Sequence, residues 1–394
     1  MMYVTRPLSL YRNSPTALEE EPPAGPYSGY LVITDEEAEA QDTFCFGACK
    51  RKAVERRPFP QDRILNIVHF SEIEGTMVTK VWFIPVLDQP LSSNRYYVIR
   101  AKGRYKGKAC ASSRETDMGL CCFENVIKDK KPKPFDHRNI YQQFKVHRHL
   151  RHSFFASSLA IDGIPPKFLR KKGWELRISR MYQFRLSDAV GLDASLRARL
   201  PDFNFPIYNR RSASVLVGQW YCPCIFVREE PRLRHQMRKS IFYKMTLEQW
   251  WQQIYSCENV EDEDQSIINI STDVQREVNL ISGMHALKDD KVSKEGFWWF
   301  RARDQNSGGR KMVSVGLSVA IVEKMRWIQE EGGWVRGGER EVKVQRREEI
   351  RSENRWRKFA CYILVESFFL RRMNGTLALR CDFRHTHKVK FKWE

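Results

Sequence analysis

The chain has 394 residues, a formal charge of +19 and a hydrophobic share of 42%. That apolar share excludes general disorder, and 11 Trp, 23 Phe and 14 Tyr supply a large aromatic core. Ten cysteines spread over this length exclude a small secreted disulfide framework, and the positive excess favours an anionic partner such as nucleic acid, acidic phospholipid or acidic protein.

The opening residues Met1 to Leu10 hold no continuous apolar stretch of the kind a secretory signal needs. The longest apolar run, Phe359 to Leu370, is too short to span a bilayer and is interrupted by Glu366. The expectation is an intracellular protein of cytoplasm or nucleus, with reduced thiols and no transmembrane segment.

Asn13 to Asp42 carries eight acidic residues and no Lys or Arg. Compact β-prone runs follow at Tyr30 to Thr34, Ile64 to Phe70, Met77 to Ile84 and Tyr96 to Ile99. The last three predict an antiparallel meander, because their spacers are too short for crossover helices. Lys128 to Pro134 reads as a linker and places a boundary between a β-rich lobe, 1–127, and a second lobe, 128–394; one continuous domain is the alternative. Between Lys128 and Arg185 there are fifteen Lys or Arg against four Asp or Glu. The anion-contacting candidates here are Lys145, Arg148, Arg151, Lys167, Arg170, Lys171 and Lys172.

Tyr141 to Ser158 is predicted helical from the spacing of Phe144, His147, Leu150 and Phe154. A helix would also set His149 and His152 on one face, but the flanking arginines disfavour a metal there. Trp174, Leu176 and Ile178 alternate with Glu175 and Arg177 as in a strand, a reading that outweighs base stacking by Trp174, Tyr182 and Phe184. Val215 to Val227 reads as a strand interrupted by Pro223. Thr246-Leu247-Glu248-Gln249 has capping-box form and predicts a helix. Glu258 to Asp264 reads as an acidic loop, Gly316 to Glu331 as a helix closed by Gly332-Gly333, and Glu341 to Gln345 as a strand. Asn374-Gly375 predicts a two-residue type I′ turn joining Trp356–Arg372 to Thr376–Glu394.

The final nineteen residues alternate strictly. Leu377, Leu379, Cys381, Phe383, His385, His387, Val389, Phe391 and Trp393 take one parity, and mostly charged residues take the other. The two-residue loop sets Leu379 opposite Leu370, Cys381 opposite Phe368, Phe383 opposite Glu366 and His385 opposite Leu364. Glu366 is thereby predicted to satisfy His385. Nineteen extended residues would reach roughly 60 Å, so a break is expected near His385. Cys381, His385 and His387 could present three ligands to a metal, but the aromatic residues sharing their face favour a core-facing histidine pair.

The cysteines at Cys45 and Cys49, Cys121 and Cys122, and Cys222 and Cys224 do not have zinc-site spacing and read as buried thiols. No phosphate-loop, dinucleotide, nucleophile-elbow or zinc-protease motif occurs, and Ser307 to Lys311 reads as a surface loop. No catalytic residue, cofactor or metal is assigned. The fold expected is α+β: mainly antiparallel sheet with a few helices, two packed lobes and a C-terminal hairpin. The leading function is a non-enzymatic binding or scaffold protein whose basic region contacts an anionic partner. The rivals are an enzyme with a site between lobes near His69, His137 or His285, and a structural, self-associating subunit.

Met2-Tyr3-Val4-Thr5-Arg6-Pro7-Leu8-Ser9, Trp220-Tyr221-Cys222-Pro223, Thr246 to Gln249, and Asp382 to His387 with Lys392-Trp393-Glu394 together resemble a plant family of uncharacterised proteins, domain of unknown function 1262. The resemblance implies a plant source and one domain over nearly the whole chain, and it implies no activity.

Overall fold

The computed structural model describes residues 2–44, 49–72, 75–114, 128–259, 267–304, 311–335, 337, 340–349 and 356–394. It overturns the α+β expectation: the protein is β-dominated, built from several antiparallel sheets. Its helices are short, and the longest among the described residues has 13 residues. Two of the three helices expected from the sequence are strands, for reasons given below.

The chain divides into two compact units, Met1–Ala189 with Cys224–Ile241, and Val190–Pro223 with Phe242–Glu394. The division thus falls after Ala189 and not after residue 127. Lys128 to Pro134 is no linker, because Lys133 exchanges both backbone hydrogen bonds with Ala109, each at 2.9 Å.

In the first unit β1 (Met2–Pro7) and β2 (Ser28–Ile33) pair in parallel. The helices α1 (Leu8–Asn13) and α2 (Glu36–Gln41) follow them in the chain. The main sheet contains β3 (Arg63–Ser71), β4 (Gly75–Pro85), β5 (Arg95–Arg100), β6 (Gln143–Arg148), β7 (Phe154–Ser158) and β8 (Glu175–Gln183). Their order is β7-β6-β5-β4-β3-β8, antiparallel throughout, so β3 to β5 form the expected meander. Alternate residues of these strands enter one core, among them Leu65, Phe83, Tyr96, Phe144, Phe154 and Trp174.

The helix expected over Tyr141 to Ser158 is the β6–β7 hairpin. Phe144, Val146, Phe154 and Ala156 are buried, whereas Lys145 is exposed and His147, Phe155 and Ser157 are half-buried, a period of two that ends at the exposed Arg148. The spacing of Phe144, His147, Leu150 and Phe154 is incidental, since Leu150 sits at the hairpin tip and is 76% exposed. The short helix α3 (Lys167–Arg170) leads to β8, and Trp174 just before the strand and Leu176 within it are buried as their alternation predicts.

In the second unit α4 (Ala194–Arg199) precedes β9 (Val215–Pro223). The central strand β10 (Phe242–Glu258) replaces the helix expected from Thr246. It lies between β9 and β16 (Lys358–Arg372), and β17 (Leu377–Trp393) and β12 (Glu277–Ile281) extend the sheet in the order β12-β17-β16-β10-β9. Both faces of this sheet are covered. Trp251 packs with Ile207, Tyr362 and Leu364, while its neighbour Trp250 packs with Val365 and with Val274 and Val344. The last two come from the ladder of β11 (Ile267–Gln275) and β15 (Glu341–Glu349). A strand buried on both faces shows no clean alternation, so a chance capping-box pattern prevails in the sequence.

The hairpin β13 (Phe297–Asp304) and β14 (Lys311–Ser318) leads into α6 (Val319–Glu331). A further helix, α5 (Leu233–Lys239), belongs to the first unit. The helix α6 starts three residues later than Gly316, because the Ser318 side chain accepts the Ile321 N–H as its cap. It stops where expected, with Gly333 at φ 86° and Trp334 N–H donating to Gln329 O.

Candidate anion-binding surface

The β16–β17 hairpin has the register read from the sequence: Leu370 faces Leu379, Phe368 faces Cys381, Glu366 faces Phe383 and Leu364 faces His385. The turn is different. Only Gly375 has positive φ, 82°, and Gly375 N–H donates to Arg372 O, so the loop is a type I turn with a left-handed glycine and not type I′. A compensating one-residue bulge between Leu370 and Arg371 restores the register.

A second irregularity falls between Ile363 and Leu364, where the partner moves from His385 to Val389. This is the break expected near His385, and it separates the two histidines. His385 is fully buried, whereas His387 is exposed, which corrects the expectation of a core-facing pair. Their rings lie 5.8 Å apart, and among the described residues no three His, Cys, Asp or Glu side chains converge, so Cys381 does not join them. The opposite parity is not uniformly solvated either. Asp382 is buried and accepts from Arg380 Nε at 2.6 Å and Ser367 Oγ at 2.5 Å.

Glu366 Oε2 lies 3.6 Å from His385 Nε2, but its principal partner is Arg197, whose Nε donates to Oε1 at 2.8 Å and Nη2 to Oε2 at 2.5 Å. Burial alone would raise the Glu366 carboxyl, but His385 and Arg197 outweigh it and hold it down at about 2. Burial lowers the His385 pKa against the pull of Glu366, so at neutral pH the arginine supplies the counter-charge. Arg197 Nη1 also donates to Ile328 O at 2.8 Å, and Lys388 Nζ to Gly332 O at 2.8 Å. The two cations thereby cap the C-terminal end of α6, where carbonyls lack helical partners. This cluster anchors a helix. Arg197 is 169 residues from Glu366, and no sequence signal pairs them.

The basic candidates separate into two groups. Arg170 is engaged by Asp129 at 3.0 Å, and the Lys167 N–H donates to the same carboxylate at 2.8 Å. The others line the β6–β7 hairpin and its neighbour. Lys145, Arg148, Arg151, Lys171 and Lys172 are exposed and have no carboxylate partner among the described residues. In the middle of this group His147 stacks on Phe155, with ring centroids 4.8 Å apart and planes 17° apart. Lys172 Nζ lies 5.6 Å from the same ring, and His149 meets it edge-on at 6.3 Å. Burial, then Lys145 and Arg57, lower the His147 pKa, so the stack is neutral within a cationic rim. This is a half-exposed aromatic pair flanked by unpaired charge.

Of the histidines named for an enzyme, His69 is buried against Phe168 O at 2.9 Å and His137 packs edge-on to Tyr27 at 5.6 Å. His285 lines an open hollow of about 580 Å³ with Glu277, Lys288, Asp289, Asp290 and Arg340. Of its acids, Asp289 pairs with Arg301 at 2.9 Å and Asp290 with Arg340 at 3.6 Å, while Glu277 accepts from Asn279 Nδ2 at 3.3 Å. Cys222 and Cys224 are buried, with burial pushing both thiols up to about 12. Cys45, Cys121, Cys122, most of the Glu258–Asp264 loop and most of Ser307–Lys311 lie outside the described residues. Among the described residues no helix is long and apolar enough to cross a membrane.

No curated protein matches this sequence. The crystal structure of Cry35Ab1 is similar at a TM-score of 0.48 and 12% identity, over 85% of this chain and 90% of that one. A family model described as protein of unknown function (DUF1262) matches residues 24–123. Over that part of the first unit the chain is therefore similar to a family of uncharacterised proteins.

Proposed function

We propose that the protein is a non-enzymatic binding protein whose first unit contacts single-stranded nucleic acid through the β6–β7 hairpin. The observation that carries this reading is the His147–Phe155 stack with Lys145 acting on His147 and Lys172 against Phe155, neither of which has a carboxylate partner among the described residues. Phosphates seek the unpaired cations, and unstacked bases seek aromatic surface; the same few residues offer both. A lipid surface would use the charges and leave the stack idle. A plant source and a place in cytoplasm or nucleus are part of this reading.

The test is binding of a fluorescent single-stranded oligouridylate and, separately, of phosphatidylserine vesicles, by wild type and by Phe155→Ala. Oligonucleotide binding that weakens about tenfold in the variant supports the reading, in line with stacking worth roughly 1–3 kcal/mol per base. Vesicle binding alone, or oligonucleotide binding indifferent to Phe155, contradicts it.

A further inference from the structure

The first unit holds a second cationic feature built from other residues. A cleft of about 280 Å³ is walled by Arg12 and Asn13 of α1, Thr34, the end of α2 at Gln41 and Asp42, and the stretch Arg51 to Pro60. A hollow of about 140 Å³ shares Thr34, Asp42, Arg51 and Ile178 with it and adds Lys52, Arg63 and Arg180.

Some of these cations are already matched. Arg12 reaches Asp42 at 2.9 Å and Ala38 O at 3.0 Å, so the acidic segment fixes it from two sides. Arg63 pairs with Glu39 at 2.8 Å and lies 3.4 Å from Asp62. Arg51 reaches Glu55 only at 3.4 Å, and His152 Nδ1 competes for that carboxylate at the same distance. Arg56 and Arg57 have no carboxylate partner among the described residues. Arg57 is half-buried, with Nη1 donating to Val146 O at 2.8 Å, and burial lowers its pKa. A half-buried guanidinium without a counter-ion is costly, so the cleft is short of negative charge.

The larger cleft sets Arg12, Arg51, Arg56 and Arg57 against Asp42 and Glu55. Two positive charges are left over, which matches a dianion and exceeds what one carboxylate supplies. Between the arginines the wall is aliphatic: Leu8, Val54, Pro58, Pro60 and Ile178. About 280 Å³ sits near the lower end of small-molecule sites, enough for one ring and its substituent and too small for a polymer.

We propose that this cleft binds a small phosphate monoester, with the phosphoryl group on Arg51, Arg56 and Arg57 and the apolar body against Val54, Pro58, Pro60 and Ile178. Arginine forks suit phosphoryl oxygens, and a monoester carries close to two charges at neutral pH. The site adjoins the hairpin, since Arg57 holds the Val146 carbonyl and His152 meets Glu55, but its phosphoryl ligands Arg51, Arg56 and Arg57 are not the cations assigned to the oligonucleotide.

Calorimetric titration of the full chain with phenyl phosphate tests it, with inorganic phosphate, benzoate and phenol as separate arms. Phenyl phosphate is expected to bind at least about tenfold more tightly than each of the other three. Arg56→Gln with Arg57→Gln is expected to lose at least about tenfold, and Lys343→Gln with Arg347→Gln, exposed on β15 of the second unit, to lose nothing. Because Arg57 also holds the Val146 carbonyl, the exposed Arg56→Gln is measured alone as well, with melting followed by circular dichroism. Any of four results overturns the proposal: no binding in any arm; inorganic phosphate equal to phenyl phosphate, which removes the apolar subsite; benzoate equal to it, which removes the dianion argument; or binding unchanged in a folded Arg56→Gln protein.

Discussion

At the scale of single residues, two buried carboxylates make opposite demands on pH. Glu366 has its folded-state pKa depressed to about 2 from an ordinary 4.5, so its stabilising share is present above 4.5 and is lost as pH falls towards 2. Asp62 is buried, and burial raises it to about 6 against the pull of Arg63 and of hydrogen bonds from Thr34. Its share runs the other way, present below its ordinary 3.8 and lost as pH rises through 6. Asp62→Asn is therefore expected to flatten the fall in stability between pH 4 and pH 7 by about 2 kcal/mol, read from urea midpoints at the two pH values. At Glu366 the partner matters more than the pH. Arg197→Met leaves a buried charge exposed to the core and is expected to cost about 3–5 kcal/mol, whereas Arg197→Met with Glu366→Leu costs clearly less. Equal losses in the single and double variants would mean that the pair is not what Arg197 contributes. Glu366 was legible as a residue needing a partner, and His385 as its diagonal neighbour, because both follow from strand register. Arg197 was not, since no local pattern links residues 169 positions apart.

At the scale of elements, legibility followed length and local pattern. The short runs of β3 to β5 are plain although Val81 to Ile84 and Tyr96 to Ile99 are buried at every position, because β-branched and aromatic residues fill them. β8 is plain from its alternation. The long β10 is not, because Trp250 and Trp251 point to opposite sides and both are covered, while Thr246 to Gln249 mimics a capping box. The β6–β7 hairpin was hidden for another reason: its apolar residues satisfy helical spacing as well as alternation. The C-terminal hairpin shows how a register can be right while its turn is wrong. One extra loop residue and one bulge offset each other, so every pair from Leu370 to Leu364 is preserved. A type I turn with one left-handed glycine predicts an asymmetry that a type I′ turn does not. Gly375→Ala is expected to cost about 1 kcal/mol through its φ alone, since a Cβ there meets nothing within 4 Å. Asn374→Asp keeps the acceptor for Thr376 N–H and is expected to be nearly neutral, in the same thermal unfolding series. A comparable loss at both positions would contradict the turn assignment.

At the scale of the molecule, the charge of +19 was the most visible property of the sequence and the least specific. The structure divides it into uses. Arg197 and Lys388 cap a helix, Arg12 and Arg63 are held by the acidic segment, and Arg170 is held by Asp129. Two groups without a carboxylate partner among the described residues bear on function, the cations of the β6–β7 hairpin and Arg56 with Arg57 of the cleft, and only the first lies in the segment whose composition is most basic. The cleft was not legible in the sequence, because which of Arg51, Lys52, Arg56 and Arg57 lack acids depends on where the fold brings Asp42 and Glu39. The central claim is that the hairpin cations act together on a polyanion. The most direct measurement is fluorescence anisotropy of labelled oligouridylate across a salt series, for wild type and for the triple variant Lys145→Glu, Arg148→Glu, Arg151→Glu. Each phosphate contact on a single strand contributes about 0.7 to the slope of log affinity against log salt. Wild type is expected to bind at low salt with a slope of about −2 or steeper, and the triple variant to lose most of the affinity and a slope of roughly 2 while keeping its melting temperature. Binding of equal strength and equal slope in the two proteins, or no binding by wild type at low salt, contradicts the claim.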